Sequence, residues 1–173
     1  MSRAAGALLL GAALLGAGGC GYSLVGKGSS LPESVKVVQF TTLENMTPRV
    51  GLEQRLSAEI ARELASRGRF KVQSSAAGAD AVLSGAVSGF DLYPVAFDSQ
   101  GRATDYQVRV TARVSLKTIP DGTALWENPA YTFRDNYQFS SSAASYVDRE
   151  NEAIDRVAGR FAQSLVTSLL EGF

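Results

Sequence analysis

The sequence predicts an α+β fold: a two-layer α/β sandwich in which two helices pack on one face of a mixed, mostly antiparallel sheet. Three observations predict it. Asp105–Lys117 alternates strictly, with Tyr106, Val108, Val110, Ala112, Val114 and Leu116 on one side and Asp105, Gln107, Arg109, Thr111, Arg113, Ser115 and Lys117 on the other. Such alternation belongs to a strand with one dry face and one polar face. Pro48–Arg67 and Asp148–Leu170 each carry a single apolar stripe at helical spacing, so each has one side to bury. Asp98–Gly101 and Pro120–Thr123 are turn signals set between extended runs, which makes those runs antiparallel neighbours.

The elements follow in order. Val35–Phe40 (VKVVQF) is a short β-rich run and is expected to be a strand buried on both faces. Thr41–Thr47 is a polar loop, and its Asn45-Met46-Thr47 sequon is read as loop chemistry only. Thr47 is placed to cap a helix that begins on Pro48, because proline suits the first helical position. Leu52, Leu56, Ile60 and Leu64 form that helix's stripe, with Ala61 and Ala65 beside it. Glu59 with Arg62, and Glu63 with Arg67, stand at pairing distance on the wet side. Gly68 stops the helix. Phe70–Gln73 adds a brief edge strand, and Ser74–Gly78 is a loop of small residues.

Ala81–Phe97 is the next extended run; Gly85 and Gly89 mark bends or bulges in it, and Pro94 an edge or an irregular end. It reaches the alternating strand through Asp98–Gly101, and Ala124–Phe139 returns after Pro120–Thr123, interrupted by Pro129. Tyr131, Phe133, Tyr137 and Phe139 share one parity; such an aromatic row is more often core than site, though tyrosine at a sheet edge also serves interfaces. Ser140–Ser145 is a loop of small residues, and Asp148, Glu150 and Glu152 crowd the start of the second helix. Ile154, Val157, Ala158, Phe161, Leu165 and Leu169 form its stripe. The first strand reaches the sheet through a helix and is therefore free to lie parallel to a neighbour.

The first residues have a different character. Arg3 precedes an apolar run over Ala4–Ala17, and Ala17, Gly18 and Gly19 lead to Cys20. A basic start, a short apolar middle and small residues form an export signal, and a cysteine at its end is the pattern of lipidation before cleavage. Residues 1–19 are then the signal peptide, 20–34 a lipidated tether and 35–173 a single domain. Cys20 is the only cysteine in the sequence, so it has no disulfide partner in its own chain. Two or more acyl chains at ~0.8 kcal/mol per buried CH₂ would hold the chain on a membrane. Gly21 follows the cysteine instead of aspartate, and in enteric-type lipoproteins that points to the periplasmic side of the outer membrane.

Composition removes several classes of function. The 173 residues contain 17 Lys and Arg against 17 Asp and Glu, and no histidine. A neutral chain has no bulk attraction for nucleic acid. Without histidine there is no near-neutral proton shuttle, and the commonest metal ligand is missing. Neither a metal nor a cofactor is expected. Gly21–Lys27 imitates a phosphate-binding P-loop, but Gly28 stands where Ser or Thr would hold magnesium and Pro32 spoils the following helix. An enzyme would need a carboxylate pair drawn from Asp91, Asp105 and Glu127; the simpler reading of all three is solvated strand and turn positions. Arg109, Arg113 and Lys117 make a basic row on the polar face of their strand, able to meet an anionic partner.

Cys20-Gly21-Tyr22 with Leu24 and Gly26, then Leu31-Pro32 and a valine-rich strand, resembles the LptE family of lipopolysaccharide-assembly lipoproteins. The likeness continues through Ala79–Gly85, Asp105–Val108, Leu125-Trp126 and Glu152-Ala153, and so spans nearly all of the mature chain. It implies an α/β sandwich and a non-enzymatic role: plugging and helping to assemble an LptD-type outer-membrane β-barrel, and binding lipopolysaccharide on its way to the outer leaflet. It also implies lipopolysaccharide-binding basic residues near the far turn of the sheet and near the start of the last helix, which here correspond to Arg102 and Arg149. The competing expectation is another periplasmic lipoprotein, acting as a ligand-binding module or an envelope scaffold.

Overall fold

A computed structural model of the chain describes residues 31–138 and 146–172. Its strands are β1 (Val37–Phe40), β2 (Glu44–Asn45), β3 (Lys71–Gln73), β4 (Ala81–Phe97), β5 (Ala103–Thr118) and β6 (Ala124–Gln138). Its helices are α1 (Leu52–Ser66) and α2 (Tyr146–Glu171). The sheet runs β3-β1-β4-β5-β6, with β2 added to β4 beyond the end of β1. The short pairs β1–β3, β1–β4 and β2–β4 are parallel, whereas the long pairs β4–β5 and β5–β6 are antiparallel. Two helices on this mixed sheet make the α+β sandwich that the periodicities predict.

One face of the sheet packs on the helices. Val38, Leu83, Val110 and Leu116 from the strands meet Leu56, Ile60 and Leu64 of α1 and Phe161, Leu165 and Leu169 of α2 in one buried cluster. Leu31 and Val35 belong to the same cluster, so the chain is already packed at residue 31. The helices run side by side in the same direction. Arg55 near the start of α1 reaches Asp155 at 2.8 Å and the Asn151 side chain at 3.0 Å, and Arg67 at its end reaches Thr167 Oγ1 at 3.0 Å. Both i,i+3 and i,i+4 pairs expected on α1, Arg62 with Glu59 and Arg67 with Glu63, are formed.

Several local expectations are corrected. β1 is not buried on both faces. Val38 and Phe40 are buried while Val37 and Gln39 are only half-covered, because the helices lie on one side of the sheet. α1 starts at Leu52, after Gly51 at φ 79°, and no side chain caps it. Thr47 and Pro48 instead form a turn closed by Asn45, whose Oδ1 accepts from the Thr47 N–H at 2.9 Å and whose Nδ2 donates to the Arg49 carbonyl at 2.7 Å. Side-chain competition of this kind delays helix entry. Ala65 is exposed, and Ser57 is buried in its stead. Ser57 Oγ accepts the Leu43 N–H at 2.9 Å and so satisfies a donor that would otherwise be stranded in the core. Gly89 does sit at a register shift. Gly85 serves another purpose: a Cβ there would lie 2.3 Å from the Arg113 carbonyl oxygen. The last strand ends at Gln138, and α2 begins at Tyr146, two residues before its expected start. Phe139 and Ser140–Ser145 lie outside the described residues.

Asp80 fastens β4 to β1. Its Oδ2 accepts the N–H groups of Val37 at 2.8 Å and Lys36 at 2.9 Å. These two bonds favour the carboxylate and hold the Asp80 pKa below its ordinary value. A carboxyl with a depressed folded-state pKa stabilises the fold above its unfolded value of about 3.9 and loses that contribution as pH falls through the folded value. Asp80→Asn should therefore melt at a lower temperature than the parent chain at pH 7. The gap should begin to narrow as the pH falls below about 4 and close once it passes below the depressed folded value, where the parent carboxylate is itself protonated. Thermal midpoints followed across that range by circular dichroism check it.

Candidate binding face of the sheet

The sheet face opposite the helices carries the polar residues of β4, β5 and β6, and register sets them in rungs. Tyr93 of β4 stands opposite Gln107, and Gln107 opposite Asn136 of β6. The next rung is Asp91–Arg109–Arg134, and the one after it Gly89–Thr111–Thr132. Gln107 Nε2 donates to Asn136 Oδ1 at 3.0 Å and ties the first rung across two strands. In the second, Arg109 Nε donates to Asp91 Oδ2 at 3.0 Å, and its guanidinium lies 5.6 Å from the Tyr93 ring centroid.

Arg109, Arg113 and Lys117 take every second place on this open face of β5, as the alternation predicts, about 13 Å apart at four-residue steps. The row is not uniformly basic. Arg113 and Lys117 share a depression of about 330 Å³ with Glu44 and Glu127, so acids offset the cations at that end. Arg113 also donates to the Met46 sulfur at 3.7 Å.

Arg102 has a job in its own turn. Asp98 Oδ1 accepts its N–H at 2.8 Å, and Asp98 Oδ2 accepts its Nε at 2.7 Å. The Arg102 N–H, ahead of its guanidinium, holds the Asp98 carboxyl below the ordinary value. The Arg102 side chain remains 76% exposed, which leaves its outer nitrogens accessible. Arg149 falls in the first turn of α2; its side chain, like Cys20, lies outside the described residues.

Asp91, Asp105 and Glu127 are held apart. Asp91 faces Arg109, Asp105 lies four residues along β5 from that rung, and Glu127 faces Ser115. At ~3.4 Å per residue these are separations of about 13 Å and more, beyond the spacing of a glycosidase pair.

Arg134 was not legible in the sequence. Two register shifts separate it from the Pro120–Thr123 turn, and the pairing next to the turn would have put Thr132 opposite Arg109. Its parity, opposite to Tyr131 and Phe133, was the available signal.

On the helix side Tyr131 and Phe133 meet Phe161, and the Tyr131 hydroxyl lies 2.6 Å from Ser164 Oγ. Burial pushes the Tyr131 phenol up, against the opposing pull of that hydrogen bond.

These features define a class: a small two-layer α/β domain with an open polar sheet face. The family model for lipopolysaccharide assembly, LptE, matches residues 35–169, and the chain belongs to that family. It is accordingly an envelope lipoprotein of lipopolysaccharide assembly. Solved structures share its fold. A Caulobacter crescentus chain assigned as a lipoprotein is 16% identical at TM-score 0.54, covering 77% of this chain and 87% of that one. PelC of Paraburkholderia phytofirmans, solved as a dodecamer, is 19% identical at TM-score 0.52, covering 83% of this chain and 92% of that one. A hypothetical protein of Chlamydia trachomatis is 13% identical at TM-score 0.54, covering 80% and 96%. No curated protein matches the sequence significantly.

Proposed function

We propose that this chain is a non-enzymatic lipoprotein anchored through Cys20 to the periplasmic side of the outer membrane. There it plugs and helps to assemble an LptD-type β-barrel, and it binds lipopolysaccharide during delivery to the outer leaflet. The family match over residues 35–169 carries this reading. The chemistry supports it, because lipopolysaccharide presents phosphates and arginine grips phosphate through paired charge-assisted hydrogen bonds. Arg109, Arg113 and Lys117 line the open face, while Arg102 and Arg149 stand at the sheet's far turn and at the start of α2.

Cross-linking in native membranes tests the partner: the reading expects a large barrel in the trapped complex, and a different envelope protein in its place overturns it. Arg102→Asp combined with Arg149→Asp should weaken capture of purified lipopolysaccharide about a hundredfold or more, as expected when two charge-assisted contacts worth roughly 1.5–3 kcal/mol each are lost. The fold should survive, since Arg102 is exposed. Unchanged capture would remove these two arginines from the binding surface.

A further inference from the structure

The open face contains an electrostatic conflict. Arg109 and Arg134 are directly opposed on β5 and β6, where Cα atoms of paired residues stand about 4.5–5.5 Å apart. Like charges so placed destabilise a sheet. Arg109 is partly relieved, because its Nε is drawn across to Asp91 on the far strand. Arg134 is not. It is exposed, and among the described residues it has no hydrogen bond or ion pair. The rung holds two guanidiniums and one carboxylate, an excess of one positive charge. Asp105 lies four residues along β5 from Arg109, and the rung of Glu127 lies four residues beyond Thr111. Each is therefore about 13 Å away from the nearer edge of this region, further than a Debye length of ~8 Å at physiological salt.

The neighbouring rung makes room for a ligand. Gly89, Thr111 and Thr132 carry short side chains or none, so a shallow step lies beside the two arginines. Two threonine hydroxyls lie there: that of Thr132 donates to the Ala130 carbonyl at 3.2 Å, and that of Thr111 can turn its proton outward. The Nη groups of Arg109 are not used by Asp91, which takes Nε alone.

We infer that Arg109 and Arg134, above the Thr111–Thr132 step, form a binding site for a phosphate monoester. Such a group carries about −1.5 to −2 charges at neutral pH and three acceptor oxygens. It would accept from both guanidiniums and turn a repulsive cross-strand pair into a bridged one. The phosphate has two sources, a lipid headgroup or a free anion. Its assignment to a lipid headgroup rests on the lipopolysaccharide-binding reading above; the site itself rests on the rung.

The full chain in detergent is the material for the test, with inorganic phosphate, diphosphorylated lipid A and dephosphorylated lipid A as probes. The parent chain should prefer the phosphorylated lipid A at least tenfold by titration calorimetry. Arg134→Gln should lose that preference, while in phosphate-free, low-salt buffer it melts no lower than the parent, because the repulsion is gone. Arg134→Lys should keep part of the preference. Protection of the parent chain by inorganic phosphate, lost in Arg134→Gln, assigns the site to small anions; a response to lipid A alone assigns it to the lipid. Arg134→Gln binding phosphorylated lipid A as tightly as the parent overturns the site and leaves the lipopolysaccharide reading standing. Failure of the parent to bind lipid A, alongside an Arg134-dependent response to inorganic phosphate, does the reverse.

Discussion

Phe161→Ala is expected to lower the unfolding free energy by about 3–5 kcal/mol, the range for removing a large buried aromatic. Phe161 is 0% exposed and sits where α2 meets β6. Its ring stands edge-on to Tyr131 at 5.7 Å and to Phe133 at 6.1 Å between centroids. Each such pair is worth ~0.5–1.5 kcal/mol beyond simple burial, so the loss exceeds that of an equal area of aliphatic surface. The site cannot collapse to fill the void. Tyr131 is pinned through its hydroxyl to Ser164, and Leu165 is itself wholly buried one turn away. Against a total stability of about 5–15 kcal/mol, this removes a large share. Urea unfolding followed by circular dichroism measures it. Phe161→Leu, which refills most of the space, should cost under half as much. Equal losses in the two variants would show that the edge-on ring contacts, and not the filled volume, carry the effect.

Gly85→Ala is expected to destabilise by about 1–3 kcal/mol, the cost of forcing extra volume into a packed site. Alanine in a strand normally costs nothing relative to glycine and helps slightly by restricting the unfolded chain. Here the added carbon would stand 2.3 Å from the Arg113 carbonyl oxygen and 3.1 Å from the Val114 Cα. Both obstacles are backbone, so no rotamer change relieves them, and β4 or β5 must move. Gly89 is the control in the same strand. Its nearest obstacle is the Thr111 Cβ at 3.4 Å, an ordinary contact. Gly89→Ala should therefore leave stability within ~0.5 kcal/mol of the parent or raise it slightly. Denaturant midpoints for both variants check the contrast, and similar values for the two would mean that β4 is free to shift away from β5.

Much of the architecture was legible because burial imposes a period. Every stripe residue expected on α2 is buried, from Ile154 to Leu169. The inward residues of β5 from Val108 to Leu116 are buried as their alternation requires. Where one helix or strand meets one continuous surface, the pattern in the chain reports that surface directly. What stayed hidden depends on contacts between distant segments. β2 is two residues long and exists because Glu44 and Asn45 find Ala86 and Val87; so short a run has no period to display. The true start of α1 was obscured by Asn45, which holds Thr47 and Arg49 in a turn that the Thr-Pro signal alone does not reveal. The binding face was half legible. Alternation placed Arg109, Arg113 and Lys117 on it, but their neighbours depend on register, and the shifts in β6 reset register between the turn and Arg134. Arg102 was expected to bind lipopolysaccharide, and its bond to Asp98 four residues earlier went unread.

The common direction of α1 and α2 bears on how this chain behaves as an electrical object. Peptide dipoles aligned along a helix amount to roughly half an elementary charge at each terminus. With both helices pointing the same way, those halves add. The backbone alone thus places about one positive charge where both helices start and about one negative where they end, and acids stand at the positive end: Glu53 in the first turn of α1, and Asp148, Glu150 and Glu152 in the sequence that opens α2. Zero net charge is therefore not electrical uniformity: two backbone dipoles point the same way, and carboxylates are gathered where both begin.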